Sequence, residues 1–144
     1  MFYLTNQKMY ELRIDLNNVN GEPYYAKYDL FRISDEGSKY RLVGLGEYDS
    51  NSTANFDAFA SSRGHSFSTR DQENDVTPYR HCATHTDSAW WFGPGEGDLF
   101  CGNSVFNTRY NSGTYYKTVR WYNLPGNLYY IKYTEMKIRP LPVI

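Results

Sequence analysis

The residues able to do chemistry concentrate between His65 and Trp91, in the run HSFSTRDQENDVTPYRHCATHTDSAWW. Asp71, Glu73 and Asp75 fall on every second position. A chain that curls around an ion can turn three such carboxylates toward one point, as oxygen-rich loops do for calcium. A hard divalent cation is therefore the leading chemistry. The alternation alone also fits a solvated acidic turn, because the glycine and terminal glutamate of an EF-hand loop are missing. His81, Cys82 and His85 are ligand types for zinc, yet no fourth ligand is evident. With Asp87 and Ser88 the same residues contain the types of a hydrolytic triad, without the turn that would present a nucleophile. They read as polar loop residues. Trp90 and Trp91 read as anchors that pin the loop onto the core, because large aromatic side chains dominate core energetics.

The elements that must position these residues lie on either side. Tyr10, Leu12, Ile14 and Leu16 alternate with Glu11, Arg13 and Asp15, the pattern of a half-buried strand. Asn20-Gly21, within residues 17–23, signals a turn, and Tyr24 to Ile33 resumes an apolar run whose alternation slips near Leu30-Phe31. A hairpin carrying a bulge is predicted, with Tyr40 to Leu45 as a third strand of an antiparallel meander. One short helix is expected between Tyr48 and Ser62, around Phe56 and Phe59. From Gly64 to Gly126 the sequence keeps no period, which predicts long loops in need of some tether to offset their ordering entropy. Alternation returns from Leu128 to Ile138, with Tyr129, Ile131 and Tyr133 on one face and Met136 and Ile138 continuing it.

A chain of 144 residues predicts one domain with one core. Its formal net charge of -1 gives no field to attract nucleic acid or an anionic membrane. No apolar run approaches the roughly 20 residues of a membrane span, and the N-terminus does not carry a signal-peptide pattern. Asn51-Ser52-Thr53 is a glycosylation sequon in a polar stretch, which agrees with secretion.

Several blocks together resemble the fibrinogen C-terminal domain family, which includes ficolins, tachylectins, tenascins and angiopoietins. They are FSTRDQENDV, Cys82-Ala83, Ala89-Trp90-Trp91, Cys101 and the closing run Tyr133 to Pro140, and the segment from Leu4 to Leu42 is similar to the family's approach to its central sheet. The resemblance covers nearly the whole chain except the family's opening part, a small subdomain with its own disulfide. It implies an α+β fold in a single domain over residues 1–144, N-terminally short relative to the family: a twisted antiparallel sheet with short helices and a loop-rich calcium and ligand region.

The resemblance also implies specific residues. Cys82 and Cys101 would form a disulfide, which for a loop of about 20 residues contributes roughly 3 kcal/mol when strain is small, and would place the protein in an oxidising, extracellular compartment. Glu73 and Asp75 take the positions whose side chains bind calcium, carbonyls around Thr77 and Tyr79 complete the shell, and Asp71 sits behind it. The first ligand position is usually aspartate and here is Glu73. In the lectin members an acetyl group sits beside the calcium site against aromatics and a cis peptide. The corresponding positions are Phe100-Cys101 and Tyr115, with Trp91 nearby and Gly102 where a histidine is common. Thr86 stands where a tyrosine is expected, and the segment after Phe92 carries an insertion, GPGEGDL. The implied function is non-enzymatic: calcium-dependent recognition by a secreted lectin of acetylated or decorated glycans, in innate immune pattern recognition, with homo-oligomerisation left open. The alternative is a protein-binding module for a receptor or matrix partner without a sugar pocket.

Overall fold

Strand β1 (Tyr10–Asn18) forms as its alternation dictates, with Leu12, Ile14 and Leu16 buried and Glu11, Arg13 and Asp15 turned outward. It is the middle strand of a three-stranded antiparallel sheet, between β2 (Pro23–Tyr28) and β7 (Ile131–Pro140). A computed structural model describes residues 2–54, 56–75, 81–96, 99, 101–110, 118–127 and 130–142. Its remaining elements are α1 (Phe2–Asn6), β3 (Phe31–Ile33), β4 (Leu42–Leu45), α2 (Cys82–Thr86), β5 (Ser104–Val105) and β6 (Arg120–Trp121), with 3-10 turns at Glu36–Ser38, Ala60–Ser62 and Pro125–Asn127. The class is α+β, with antiparallel sheets and few short helices.

The turn from β1 to β2 is organised by Asn18 rather than by a two-residue Asn-Gly loop. The buried Asn18 side-chain oxygen accepts from the backbone N–H groups of Asn20 and Glu22, both at 3.0 Å, while Gly21 donates to the Asn18 carbonyl at 2.9 Å. Gly21 closes the turn at φ +80°, a conformation that favours glycine.

The expected hairpin bulge near Leu30-Phe31 is instead a change of sheet. β2 ends at Tyr28, and β3 pairs with β4 in a separate two-stranded sheet. Asp29 makes the crossing: its N–H donates to the Glu47 carbonyl at 3.3 Å and its Oδ1 accepts from the Glu47 N–H at 2.7 Å. A Cβ on Gly46 would stand 1.8 Å from that Oδ1, so only glycine leaves room for the crossing. Both Tyr28 and Phe31 are thereby directed into the core.

The closing strand also departs from expectation. Asn18 faces Ile131 and Asn17 faces Tyr133, so Lys132 is an extra residue that flips the phase. Ile131 is consequently buried, whereas Tyr133 points outward and is 48% exposed. Those two residues do not share a face, and Met136 and Ile138 continue the inner face through Thr134.

Phe59 sits at the centre of the core. Its ring lies 6.0 Å from Tyr28, 6.5 Å from Phe31, 5.5 Å from Trp90 and 6.0 Å from Trp91, so it joins the three-stranded sheet and the β3–β4 sheet to the loop region. The helix expected around Phe56 and Phe59 is the single 3-10 turn Ala60–Ser62, immediately after Phe59. Phe59→Ala removes a fully buried ring and should cost about 3–5 kcal/mol. Denaturant unfolding followed by tryptophan fluorescence checks this, and a loss below about 1 kcal/mol would show that the four rings do not depend on it.

Candidate functional site

The acidic stretch is held in place by the residues between its carboxylates. Thr69 and Gln72 exchange backbone hydrogen bonds at 3.0 and 3.2 Å, which closes a tight turn. Asn74 is then bound twice: its N–H donates to Ser68 Oγ at 2.9 Å and its side-chain amide donates to the Phe67 carbonyl at 2.8 Å. Ser68 is bridged in turn to the buried Trp90, with N–H to carbonyl bonds of 3.0 and 3.2 Å. With Asn74 tied to the body, Glu73 and Asp75 turn toward α2.

Asp75 Oδ2 accepts from the Cys82 N–H at 3.2 Å, and Glu73 Oε1 accepts from the Thr84 hydroxyl at 3.4 Å. Glu73 Oε2 is buried without a hydrogen-bond partner, 3.7 Å from Nδ1 of the largely exposed His81. Burial pushes the Glu73 carboxyl above its ordinary range, and the Asp75 carboxylate beside it pushes the same way, with His81 and Thr84 opposing. Two facing carboxylates, one with an orphaned buried oxygen, form a donor set whose chemistry fits a hard cation. Asp71 is separate from this pair: its Oδ1 accepts from the Thr69 hydroxyl at 2.6 Å, and that bond chiefly lowers its pKa. Thr77 and Tyr79 lie outside the described residues. Among the described residues no group of three or more His, Cys, Asp or Glu side chains is arranged to hold a metal.

Cys82 and Cys101 are joined, with Cα atoms 5.6 Å apart, and both are buried. Cys82 therefore offers no thiolate to zinc. Asp87 and Ser88 form no triad: Asp87 holds Arg70 and Arg109 at 3.0 and 2.8 Å, and Ser88 Oγ lies 2.9 Å from the Thr86 hydroxyl.

Past the disulfide, the backbone of residues 101–103 is fixed from several sides. Gly102 adopts φ +116°, and a Cβ there would meet Ser61 Oγ at 3.3 Å and the Gly93 carbonyl at 3.4 Å. Asn103 donates its N–H to Ser61 Oγ at 3.0 Å, and its side-chain oxygen accepts from the Glu96 N–H at 2.8 Å. The buried Arg120 donates to the Gly102 carbonyl at 3.3 Å. Phe100 and Tyr115, and with Phe100 the peptide bond preceding Cys101, lie outside the described residues. Ser61, Gly93, Asn103 and Arg120 shape this segment without having been singled out by sequence. Gly93 had a readable signal as the first glycine of GPGEG, since a Cβ there would lie 2.1 Å from the Ser61 carbonyl.

Trp91 is placed as a core residue, its indole N–H donating to the Tyr40 carbonyl at 2.8 Å. It also lines a cavity of about 430 Å³ with Trp90, Phe67, Phe106, Thr134 and Met136, and Cys101 and Gly102 are not among the lining residues.

A family model described as "Fibrinogen beta and gamma chains, C-terminal globular domain" matches residues 1–141. The chain belongs to this family. The fibrinogen-related domain is 41% identical over 140 residues to fibrinogen-like protein A of Apostichopus parvimensis, covering 95% of this chain and 46% of the relative. It is 36% identical to ryncolin-4 of Cerberus rynchops, covering 95% and 38%. It is 34% identical over 137 residues to tenascin-R of Gallus gallus, covering 95% and 9%. The chain thus spans less than half the length of these curated relatives. Among solved structures, the fibrinogen-like globe domain of human ANGPTL2 superposes with a TM-score of 0.83 at 31% identity, covering 98% of this chain and 62% of that one. Lamprey fibrin D-dimer, complexed with the peptide Gly-His-Arg-Pro-amide, gives a TM-score of 0.74 at 28% identity, covering 96% and 48%. The fibrinogen-related domain is a binding module rather than an enzyme. No helix among its described residues is long and apolar enough to cross a membrane.

The raised Glu73 pKa has a defined sign. The folded state binds this proton more tightly than the unfolded chain, so Glu73 detracts from stability as pH rises through its unfolded value toward its higher folded one. In chelator, the melting temperature should fall across that window. Glu73→Gln should flatten the fall and raise the neutral-pH melting temperature. A variant profile parallel to that of the wild type would assign the titration to other groups.

Proposed function

We propose that this fibrinogen-related domain is a calcium-dependent recognition module that acts outside the cell and binds acetylated or otherwise decorated glycans, as a secreted lectin of innate immune recognition. The observation that carries the reading is the buried Glu73 oxygen without a hydrogen-bond partner beside Asp75, whose own partner Cys82 is tied by the disulfide to residues 101–103. Glu73 and Asp75 would hold the ion, with backbone oxygens near Thr77 and Tyr79. Calcium would supply charge that offsets the repulsion between the two carboxylates. Asp75 accepts from the Cys82 N–H, so the ion's neighbours connect through one covalent bridge to the backbone beside Gly102. Ligand binding there depends on calcium indirectly, through loop order.

A second reading is a module that binds a protein or peptide. It is favoured by the likeness to a lamprey fibrin solved with a peptide ligand and to the globe domain of human ANGPTL2. Gly102, at the position where the lectin members commonly have a histidine, also favours it.

Calcium at 100 times its dissociation constant should stabilise the domain by about 2.7 kcal/mol, visible as a rise in melting temperature over chelator. Asp75→Ala should abolish the rise, and equal melting temperatures in calcium and chelator would remove the ion from the reading. For the ligand, calorimetry should show N-acetylglucosamine binding and glucosamine failing to bind. Gly102→Ala, strained at φ +116°, should weaken binding while leaving the calcium-dependent melting shift. If the two sugars bind alike or neither binds, the peptide reading replaces the glycan one.

A further inference from the structure

Residues 48–54 dock along the outer edge of β2, on the side of the sheet away from β7. Four bonds make the seal: the Tyr25 N–H donates to Thr53 Oγ1 at 2.8 Å, the Lys27 N–H donates to Ser52 Oγ at 3.0 Å, and the Asp49 and Ala54 N–H groups donate to the Lys27 and Tyr25 carbonyls at 2.8 and 3.0 Å. Within the segment the Ser52 N–H donates to the Asp49 carbonyl at 2.9 Å, which closes a β-turn with Ser50 and Asn51 at its tip. Asn51 is held by its backbone alone. Its N–H donates to Asp49 Oδ1 at 2.9 Å, and its carbonyl accepts from the Tyr25 hydroxyl at 2.7 Å. The residue is exposed, and its side-chain amide has no hydrogen-bond partner among the described residues. Asn51-Ser52-Thr53 is also the only Asn-x-Ser/Thr triplet in the 144 residues.

We propose that Asn51 carries an N-linked glycan, attached before residues 48–54 dock on β2; the proposal rests on the reading that the protein passes through the secretory route. In the transfer, Asn51 Nδ2 bonds to C1 of the first sugar of a lipid-linked oligosaccharide pyrophosphate. The C1–O bond to the pyrophosphate breaks, the lipid pyrophosphate leaves with its electron pair, and Nδ2 gives up one of its two protons to solvent. Recognition of the triplet uses the asparagine amide together with the hydroxyl two residues on. The folded geometry separates these two groups: the amide stands free at the turn tip, while Thr53 Oγ1 is turned onto the strand edge as the acceptor for Tyr25. The folded domain therefore accommodates the attached sugar but not the reaction that attaches it. Synthesis leaves time for that order. β1 lies between β2 and β7, and its register with β7 runs from Tyr10–Pro140 to Asn18–Ile131, so the sheet is incomplete until residues 131–140 have been made. Before then β1 and β2 form an isolated two-stranded hairpin, which is marginal by itself, and a segment sealed on it does not stay sealed. Once attached, a bulky, well-hydrated glycan stands beside the β2 edge and shields the Ser52 and Thr53 bonds.

The full 144-residue chain, sent into the secretory route of cultured animal cells by an added signal peptide, tests the site. Chain from cells and medium is pooled, so that retention does not bias the result. Treatment with an amidase that releases the glycan and converts its asparagine to aspartate should mark Asn51 in the tryptic peptide 42–63, read by mass spectrometry. Asn51→Gln and Thr53→Ala should each abolish the mark, and Thr53→Ser should retain it. Because transfer precedes docking, these outcomes hold even where a substitution weakens the seal. For the order, the folded, disulfide-bonded chain from a bacterial host is compared with the same chain reduced and carboxymethylated at Cys82 and Cys101, each offered to detergent-opened microsomes that hold the lipid-linked donor. Only the carboxymethylated chain should gain the sugar. An unmodified Asn51 in the animal-cell chain, or a mark that survives Thr53→Ala, would overturn the site. The added signal makes that result independent of where the native protein resides, so the extracellular reading stands or falls separately. A folded chain modified as fast as the carboxymethylated one would overturn the order of attachment and docking.

Discussion

Three consecutive core residues, Trp90, Trp91 and Phe92, are all buried, and the rest of the structure depends on that burial. In a strand with one wet face, neighbours alternate in and out; here the chain is covered on both sides. Trp90 packs toward Phe106 at 5.2 Å, and Trp91 packs toward Phe67 at 5.1 Å and edge-on to Phe31 at 6.3 Å. The segment therefore runs between the sheets and the loops as a shared wall. Ser68 binds the Trp90 backbone, and Asn74 binds Ser68. The placement of the acidic pair thus follows from the position of an indole. Each such ring contact contributes about 0.5–1.5 kcal/mol beyond its area, and the cluster compensates for a region with few ladder hydrogen bonds.

Sequence made the regular parts legible and the junctions obscure. β1 and the closing strand are read from a period of two because each has one wet face. The crossing at Asp29-Leu30 could not be read, because it depends on Glu47 and on the space that Gly46 leaves, far downstream in the chain. The helices α1 and α2 are five residues each, too short for a periodic signal. α2 follows His81 without a side-chain cap, so the usual start signal is missing too.

The candidate site divides along the same line. Glu73 and Asp75 were visible from their alternation, and the structure separates Asp71 from them through a local bond to Thr69. Ser61 and Arg120 were invisible, since a serine and an arginine gain their roles only by reaching the backbone near Gly102 across the fold. Residues that supply charge announce themselves by type, whereas residues that supply position do so only by contact.

The sealed edge of β2 carries a consequence for how this sheet can grow. In the language of polymer chemistry, a unit with two reactive ends propagates a chain, and a unit with one end terminates after a single coupling. Residues 48–54 cap the β2 end: the Tyr25 and Lys27 N–H groups donate to Thr53 Oγ1 and Ser52 Oγ, and the Asp49 and Ala54 N–H groups donate to the Lys27 and Tyr25 carbonyls. Their seal uses two hydroxyls, Ser52 and Thr53, as stand-ins for ladder carbonyls, so it closes the edge without presenting a new one. Until that segment docks during folding, the β2 edge is a live end; once it docks, no further strand can couple there.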